Sequence, residues 1–162
     1  MNTHIDIVIA NFNNDKDARA LVYLMDTYAK DPMGGGEPLT ERVKHALPNA
    51  LMEIPNAFSV IAYVDGHPAG LINCFEAFST FKCQPLINIH DVIVSVSYRG
   101  LGLSSKMLKK VEEVAKERAC CKVTLEVLEG NTVAKAAYEK AGFTHYQLDP
   151  KMGRAMFWEK YL

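Results

Sequence analysis

The sequence predicts a mixed α/β (α+β) fold in which helices flank a mainly antiparallel central sheet. Two β-rich runs, residues 57–64 and 69–78, lie on either side of an Asp-Gly pair, which is typical of a hairpin turn. Segments with helical spacing of apolar residues are interspersed with short strand-like runs. One strand-like run leads through a glycine-containing loop into a helix and then into another strand, as in a parallel crossover.

The predicted element order is β-α-α-β-β-β-α-β-α-β-β. The strands are expected at residues 5–10, 57–64, 69–78, 86–94 and 122–128, and in the closing segments HYQL (145–148) and RAMFWEKYL (154–162). The helices are expected to begin after Asn14 or Asp15, at Thr40, after the glycine loop, and at Asn131. Pro48 is expected to break the second helix into two short pieces. Gly142 followed by Phe143 predicts a left-handed cap at the end of the last helix.

Composition sets the scale of the molecule and limits its partners. The chain has 162 residues, 49% of them apolar, so we expect a single domain over residues 1–162. A formal net charge of -1 gives no overall attraction to nucleic acid or to an anionic membrane, and neither is an expected partner. No apolar run approaches the ~20 residues that cross a bilayer. The four cysteines include no C-x-x-C pair, which favours a cytoplasmic protein; a homodimer is left open.

The loop RGLGLSS, residues 99–105, predicts an anion site between a strand and a helix. Backbone N–H groups at a helix N-terminus attract anions, and two glycines let the backbone approach a phosphate closely. A P-loop is excluded because no Gly-Lys-Ser/Thr sequence follows a four-residue gap. A dinucleotide fingerprint is disfavoured because Ser105 replaces its third glycine and the preceding sheet is predicted to be antiparallel.

Two blocks of the sequence resemble the GNAT superfamily of N-acetyltransferases. The segment HDVIVSVSYRGLGLSSKML is similar to its acetyl-CoA motif; Arg99 and Gly102 match, and Ser104 departs from the final Gly/Ala. The segment NTVAKAAYEKAGF is similar to a later block of the family, N-x-x-A-x-x-x-Y-x-x-x-G-F. Local likeness extends to diamine and aminoglycoside N-acetyltransferases. The predicted element order is the one that a GNAT-like fold would have.

The resemblance implies acetyl-CoA as the acyl donor and a set of residues that hold it. The strand around Val92, Ile93 and Val94 would pair with the pantetheine arm, and Ile93 or a neighbour would donate an N–H to the thioester carbonyl. The pyrophosphate would be wrapped by the loop residues Arg99, Gly100, Leu101, Gly102, Leu103, Ser104 and Ser105. The second block would add Asn131, Ala134 and Tyr138 to the acetyl-CoA site.

The same resemblance points to an acid and to several candidate bases. Tyr138 matches the tyrosine that protonates the departing thiolate in this family. Asp91 is the first candidate to take the proton of the amine, and Glu126 on the adjoining strand is a third. His90 is the alternative to Asp91, but it would face the opposite side of a regular strand, so only one of the two is expected to meet the substrate. No metal is expected, because the five histidines are scattered.

The expected function is transfer of an acetyl group from acetyl-CoA to a primary amine of a small molecule, directly, in a ternary complex. A protein or peptide N-acetyltransferase and a non-catalytic acyl-CoA-binding module are the alternatives. The acidic residues in and beside the segment DPMGGGEPL, among them Asp26 and Asp31, can either attract a cationic acceptor or form a solvated face. The identity of the amine and the preferred acyl chain are left open.

Overall fold

The computed structural model describes residues 3–162; Met1 and Asn2, the first residues of the predicted domain, lie outside the described part. The strands are β1 (Ile5–Ile9), β2 (Ala57–Val64), β3 (His67–Ser79), β4 (Gln84–Val94) and β5 (Val123–Leu125). The α-helices are α1 (Asp15–Lys30), α2 (Glu41–Met52), α3 (Leu103–Glu117) and α4 (Thr132–Lys140). None of the helices in residues 3–162 is long and apolar enough to span a membrane.

In the described chain, the five strands form one sheet in the order β1-β2-β3-β4-β5. The pairs from β1 to β4 are antiparallel, and β5 runs parallel to β4. A parallel pair needs a crossover, and α3 supplies it. The predicted mixed sheet, mainly antiparallel with flanking helices, is therefore confirmed.

The two faces of the sheet are covered by different helices. On one face, the buried side chains Met107, Leu108 and Val111 of α3 pack in the larger apolar cluster with residues of all five strands. On the other face, Leu21 and Leu24 of α1 pack against a smaller set of strand residues. The sheet is thus apolar on both sides, which explains why β2 and β3 are near-continuous apolar runs rather than alternating ones.

Short-range signals account for the turn between β2 and β3 and for most helix ends. Asp65 and Gly66 have φ values of +48° and +82°, the left-handed pair that a two-residue hairpin turn requires. Asn14 caps α1 by accepting a hydrogen bond from the Lys16 N–H. Thr40 caps α2 in the same way.

The expected break at Pro48 is wrong: α2 continues through this residue, because a proline removes only one hydrogen bond of a helix whose residues are not buried.

The prediction of two closing strands is also wrong. Residues 144–149 and 153–162 have no regular secondary structure and pair with no strand in the described chain. Their large apolar side chains are exposed; Trp158, for example, is 81% exposed. An alternating apolar pattern forms a strand only when a neighbouring strand takes up its hydrogen bonds, and nothing in the local sequence supplies that partner.

A buried polar contact ties the start of α1 to the sheet and allows a test of the fold. The Tyr63 hydroxyl donates to Asp17 Oδ1 at 2.6 Å, and Asp17 Oδ2 accepts from the Asn11 N–H at 2.9 Å. Because the hydroxyl bonds to a buried carboxylate, Tyr63→Phe is expected to lower the free energy of unfolding by about 1.5–3 kcal/mol. Urea denaturation measures the change. Tyr23→Phe, which removes an exposed hydroxyl from α1, is the control and should have an effect below about 0.5 kcal/mol.

Candidate active site

The sheet opens between β4 and β5 where the sequence predicts the site. β5 pairs with β4 only over residues 87–89, whereas β3 stays paired with β4 as far as Val94. Within the described residues, the outer edge of β4 therefore has no neighbouring strand from residue 90 onwards. Val92 and Ile93 lie on this stretch together with Val94. An extended ligand arm can pair with such an edge as an added strand would.

A β-bulge in β4 places His90 and Asp91 on the same face of the sheet. The register between β3 and β4 shifts so that His90 is the additional residue in β4. The His90 ring packs edge-on against Phe75 with ring centroids 5.6 Å apart, and Asp91 hydrogen bonds to Asn73. Phe75 and Asn73 are two residues apart on β3 and so point to one face. The expectation that His90 and Asp91 face opposite sides is wrong, because it assumed a regular strand.

Asp91 is half-buried on the sheet face that α1 covers. Its Oδ2 atom accepts a hydrogen bond from Asn73 Nδ2 at 3.0 Å. Its Oδ1 atom accepts none from residues 3–162, so one carboxylate oxygen is free to meet a ligand. Glu126, the third candidate base, follows directly after β5 and is exposed. The geometry thus favours Asp91 over Glu126 as a group held in a defined position.

The predicted anion loop has open space beside its two glycines. Gly100 and Gly102 have φ values of +83° and +70°, and no atom lies within 4 Å of the position that a Cβ would take at either residue. α3 begins at Leu103 with no side-chain cap, so its first N–H groups are left for an anion. Leu103 is itself buried in the core, and it can contribute only its backbone.

The side chains around this loop are accessible to a ligand. Arg99 is 58% exposed, and its Nη2 atom lies 3.9 Å from Asp31 Oδ2. An ion pair as long and as exposed as this one is weak, so a phosphate can replace Asp31 as the partner of Arg99. Leu101 and Ser105 are exposed, and Ser104 is half-buried. The seven predicted loop residues therefore do lie together at the N-terminus of α3.

Both ends of α4 hold Tyr138 in place. Asn131 accepts a hydrogen bond from the Ala134 N–H at 3.2 Å and so begins the helix. Gly142 ends it with a φ of +92°, and the Phe143 ring packs against the Tyr138 ring at a centroid distance of 6.0 Å. The predicted caps are confirmed. Burial raises the pKa of Tyr138 to about 12, so its hydroxyl carries a proton at neutral pH and can donate it.

Tyr28 is a site residue that the sequence did not single out. Burial raises the pKa of Tyr28, and the negative charges of Asp91 and Asp31 raise it further. Tyr28 in turn contributes to the raised pKa of Tyr138. Tyr28 also packs in the smaller apolar cluster with Leu71 and Ile93, so it lies on the sheet face that carries Asp91. In the sequence it is indistinguishable from the apolar positions of an amphipathic helix.

The loop between α1 and α2 is fixed at both ends by carboxylates. Asp26 Oδ1 accepts from the Leu39 N–H at 3.0 Å, and the hydrogen bond from Lys30 holds the pKa of Asp26 below its ordinary value. Asp31 accepts from the Met33 N–H at 2.8 Å and faces Arg99. Both acids are thus engaged in the fold, which reduces their availability to a cationic acceptor.

Comparison with known proteins identifies a family and a curated relative. The family model described as "Acetyltransferase (GNAT) family" matches residues 21–143. The thialysine N-epsilon-acetyltransferase of Bos taurus is 39% identical over 68 residues, which are 42% of this chain and 39% of that protein. The matched part of the chain thus spans well under two thirds of the length of this relative.

Solved structures share the fold over nearly the whole chain. The aminoglycoside N-acetyltransferase AAC(6')-Iy in complex with CoA has a TM-score of 0.75 at 16% identity and covers 100% of this chain and 98% of its own. The ribosomal-protein-alanine N-acetyltransferase of Brucella melitensis has a TM-score of 0.68 at 18% identity and covers 98% of both chains. At these identities the likeness shows the fold alone.

Proposed function

The chain belongs to the GNAT family of acetyltransferases, and we propose that it uses acetyl-CoA to acetylate a primary amine of a small molecule. The observation that carries the proposal is that β4 bears the carboxylate of Asp91, and that Val92 and Val94 of the same strand pack in the apolar cluster that contains the protonated phenol of Tyr138. Acetyl transfer to an amine needs one group that takes a proton and one that gives a proton. The site offers both.

The residues present fit acetyl-CoA. The open backbone edge formed by Val92, Ile93 and Val94 suits the amide-containing pantetheine arm, and the glycine loop at the uncapped start of α3 suits a pyrophosphate. Arg99 adds a positive charge at that loop. When bound, acetyl-CoA supplies an activated thioester carbonyl to the site.

In the proposed mechanism, Asp91 and Tyr138 carry out the proton transfers. An alkylammonium has an ordinary pKa of ~10, so at neutral pH Asp91 must take a proton, directly or through water, before the nitrogen can attack the thioester carbon. A main-chain N–H near Ile93 stabilises the negative charge that develops on the carbonyl oxygen. The C–S bond then breaks, Tyr138 donates its hydroxyl proton to the leaving thiolate, and the second proton of the attacking nitrogen returns to the Tyr138 oxygen, directly or through water.

Direct transfer in a ternary complex is supported by the state of the nearby thiol. Cys74 lies on β3, next to Asn73, and is 1% exposed. Burial raises the pKa of the Cys74 thiol to about 12, so it stays protonated and is a poor nucleophile. A covalent acetyl-cysteine is therefore disfavoured at this position, and the amine is the group that attacks.

A small amine is favoured over a protein as the acceptor. The curated relative is named for thialysine, a small amine, whereas the ribosomal-protein enzyme is similar in fold alone. The acceptor would meet Asp91 from the side that α1 covers, where Tyr28 also lies. A non-catalytic acyl-CoA-binding module would need neither the carboxylate of Asp91 nor the hydroxyl of Tyr138.

Release of free thiol from acetyl-CoA tests the proposed activity. The acceptors to compare are thialysine, a linear diamine, an aminoglycoside, and a peptide with an N-terminal alanine. We expect thiol release with at least one small amine to exceed that with the peptide. Release with the peptide alone would favour the protein-acetylating alternative. Binding of acetyl-CoA without release in any mixture would favour the non-catalytic module.

Asp91→Asn tests the base through the pH dependence of turnover. If Asp91 takes the proton of the ammonium group, the variant should lose at least about tenfold in kcat at pH 7. The loss should shrink as the pH approaches the pKa of the amine, because the amine is then neutral before it binds. Initial rates at a series of pH values measure this. A loss of equal size at every pH would indicate that another group takes the proton of the ammonium group. His90, next to Asp91 on the same face, is then the first candidate.

A further inference from the structure

Two polar side chains lie inside the sheet where apolar residues would be expected. Ser59 on β2 is 2% exposed and Asn73 on β3 is 4% exposed. Their neighbours along the strands, Val60 and Ile72 among them, are buried and apolar. Polar groups in such surroundings cost free energy unless they are hydrogen bonded, and a well-packed apolar pair would avoid that cost. The stability of the fold therefore does not explain why these two buried positions carry polar residues.

Ser59 and Asn73 form a chain of hydrogen bonds that ends at Asp91. The register places Ser59 opposite Asn73 and Asn73 opposite Asp91, so three adjacent strands contribute one residue each. Ser59 Oγ donates to Asn73 Oδ1 at 2.7 Å, and Asn73 Nδ2 donates to Asp91 Oδ2 at 3.0 Å. We refer to these three residues as the cross-strand relay.

The direction of the relay is set by Asp91, its last member. Because a carboxylate only accepts hydrogen bonds, the amide group of Asn73 must turn its Nδ2 towards Asp91, which leaves Oδ1 to accept from the Ser59 hydroxyl. The opposite orientation would place the amide oxygen against the carboxylate, and two acceptors repel each other. Nδ2 also contacts the Met25 sulfur of α1 at 3.3 Å, a weak acceptor. Each polar atom of the Asn73 side chain thus has a partner.

We propose that Ser59 and Asn73 are positioning residues that hold the Asp91 carboxylate for acetyl transfer. The relay occupies Oδ2 and stabilises the charged form of the carboxylate, so Oδ1 is left to receive the proton of the acceptor amine. Asp91 lies directly beside the bulge at His90, where the regular ladder is interrupted and the backbone by itself holds the strand less firmly. The inference rests on the proposed function in one respect, the role of Asp91 as base.

The first test observes Asp91 itself and does not depend on activity. The carboxyl ¹³C resonance of Asp91, identified by its loss in Asp91→Asn, is titrated in the wild-type protein, Asn73→Leu, Asn73→Asp and Ser59→Ala. Asn73→Leu removes the donor and should raise the titration midpoint. Asn73→Asp should raise it by at least about one pH unit, since two carboxylates at this distance cannot both ionise readily. Ser59→Ala should give a smaller shift in the same direction.

Two controls distinguish an effect of the relay on Asp91 from the effect of other titratable groups or of an added charge elsewhere. The other titratable groups around Asp91 are Tyr28 on α1, the adjacent His90 and the buried Cys74, and none of them is changed by these variants. Asn56→Asp makes the same substitution at an exposed asparagine that bonds across β2 and β3 to the Glu76 carbonyl, and it should leave the Asp91 midpoint within about 0.2 units. Asp91 midpoints that are equal in Asn73→Leu, Asn73→Asp and the wild type would overturn the proposal.

The second test asks whether the effects of Asn73 and Asp91 on turnover are coupled. Asn73→Leu should lower kcat by about tenfold, the value of one hydrogen bond to a charged group, while the melting shift caused by acetyl-CoA is retained. In an Asp91→Asn background the same change should cost much less. An equal loss of kcat in both backgrounds would show that Asn73 is merely structural and would overturn the proposal. If Asp91→Asn does not alter turnover while the NMR shifts occur, the role of Asp91 as base fails, but the influence of Ser59 and Asn73 on its carboxylate is retained.

Discussion

Replacing Tyr138 by phenylalanine is expected to lower kcat for acetyl transfer by about 10²–10⁴-fold, the usual contribution of a general acid. The ring of the new residue can keep the edge-on contact with Phe143, and only the hydroxyl is lost. Burial raises the pKa of Tyr138 to about 12, so the wild-type hydroxyl holds its proton across the neutral range and is available to donate it to the sulfur as the C–S bond breaks. Steady-state rates with saturating acetyl-CoA measure the loss.

A second buried tyrosine provides the control for this variant. Tyr63→Phe also removes a buried hydroxyl, but one that bonds to Asp17 at the start of α1. It should lower stability and leave kcat near the wild-type value at a temperature where both proteins are folded. Tyr138→Phe should show the opposite pattern, with acetyl-CoA affinity retained. Wild-type turnover in Tyr138→Phe would remove Tyr138 from the proton transfer.

Acetyl-CoA is expected to raise the melting temperature of the wild-type protein, and replacing Gly102 by glutamate is expected to abolish that rise. No atom lies within 4 Å of the position of a Cβ at Gly102, so the new side chain does not clash with the core and stays beside the first turn of α3. Its negative charge would occupy the uncapped start of α3 and repel a pyrophosphate. Thermal unfolding with and without millimolar acetyl-CoA measures the effect.

Gly66→Glu is the matched control for backbone strain. Gly66 has a φ of +82° against +70° at Gly102, and its Cβ position is equally open, but it lies in the turn between β2 and β3. Both substitutions therefore introduce a similar amount of backbone strain. The Gly66 variant should melt earlier than the wild type and still respond to acetyl-CoA. A normal acetyl-CoA response in Gly102→Glu would place the pyrophosphate elsewhere.

Much of the fold follows from sequence patterns whose residues are only a few positions apart. The Asp65-Gly66 turn, the Asn131 cap and the Gly142 cap are each decided by the conformational preferences of one or two residues, and all three were predictable. Strand and helix periods likewise placed β1 to β4 and all four helices close to their observed bounds. The break expected at Pro48 failed because one lost hydrogen bond does not outweigh the rest of a helix.

The part of the candidate site that consists of neighbouring residues was predictable from the sequence. The loop from Arg99 to Ser105 combines glycines that adopt positive φ with a helix N-terminus, and those two properties are local. Tyr138 could be named only because its block resembles the GNAT family. The register shift that places His90 and Asp91 on one face is not visible in the sequence, because it depends on how β4 pairs with β3.

The sequence by itself determined the fold class, the family resemblance, and an anion loop between a strand and a helix, because each depends on residue types at short and regular spacings. The tertiary structure alone decided that Tyr28 lies on the sheet face of Asp91, that Asn73 connects Ser59 to Asp91, and that the last residues of the described chain form no strand. These facts depend on which strands pair, in which register, and which helix covers which face. Such contacts join residues far apart in the chain, and no local pattern specifies them.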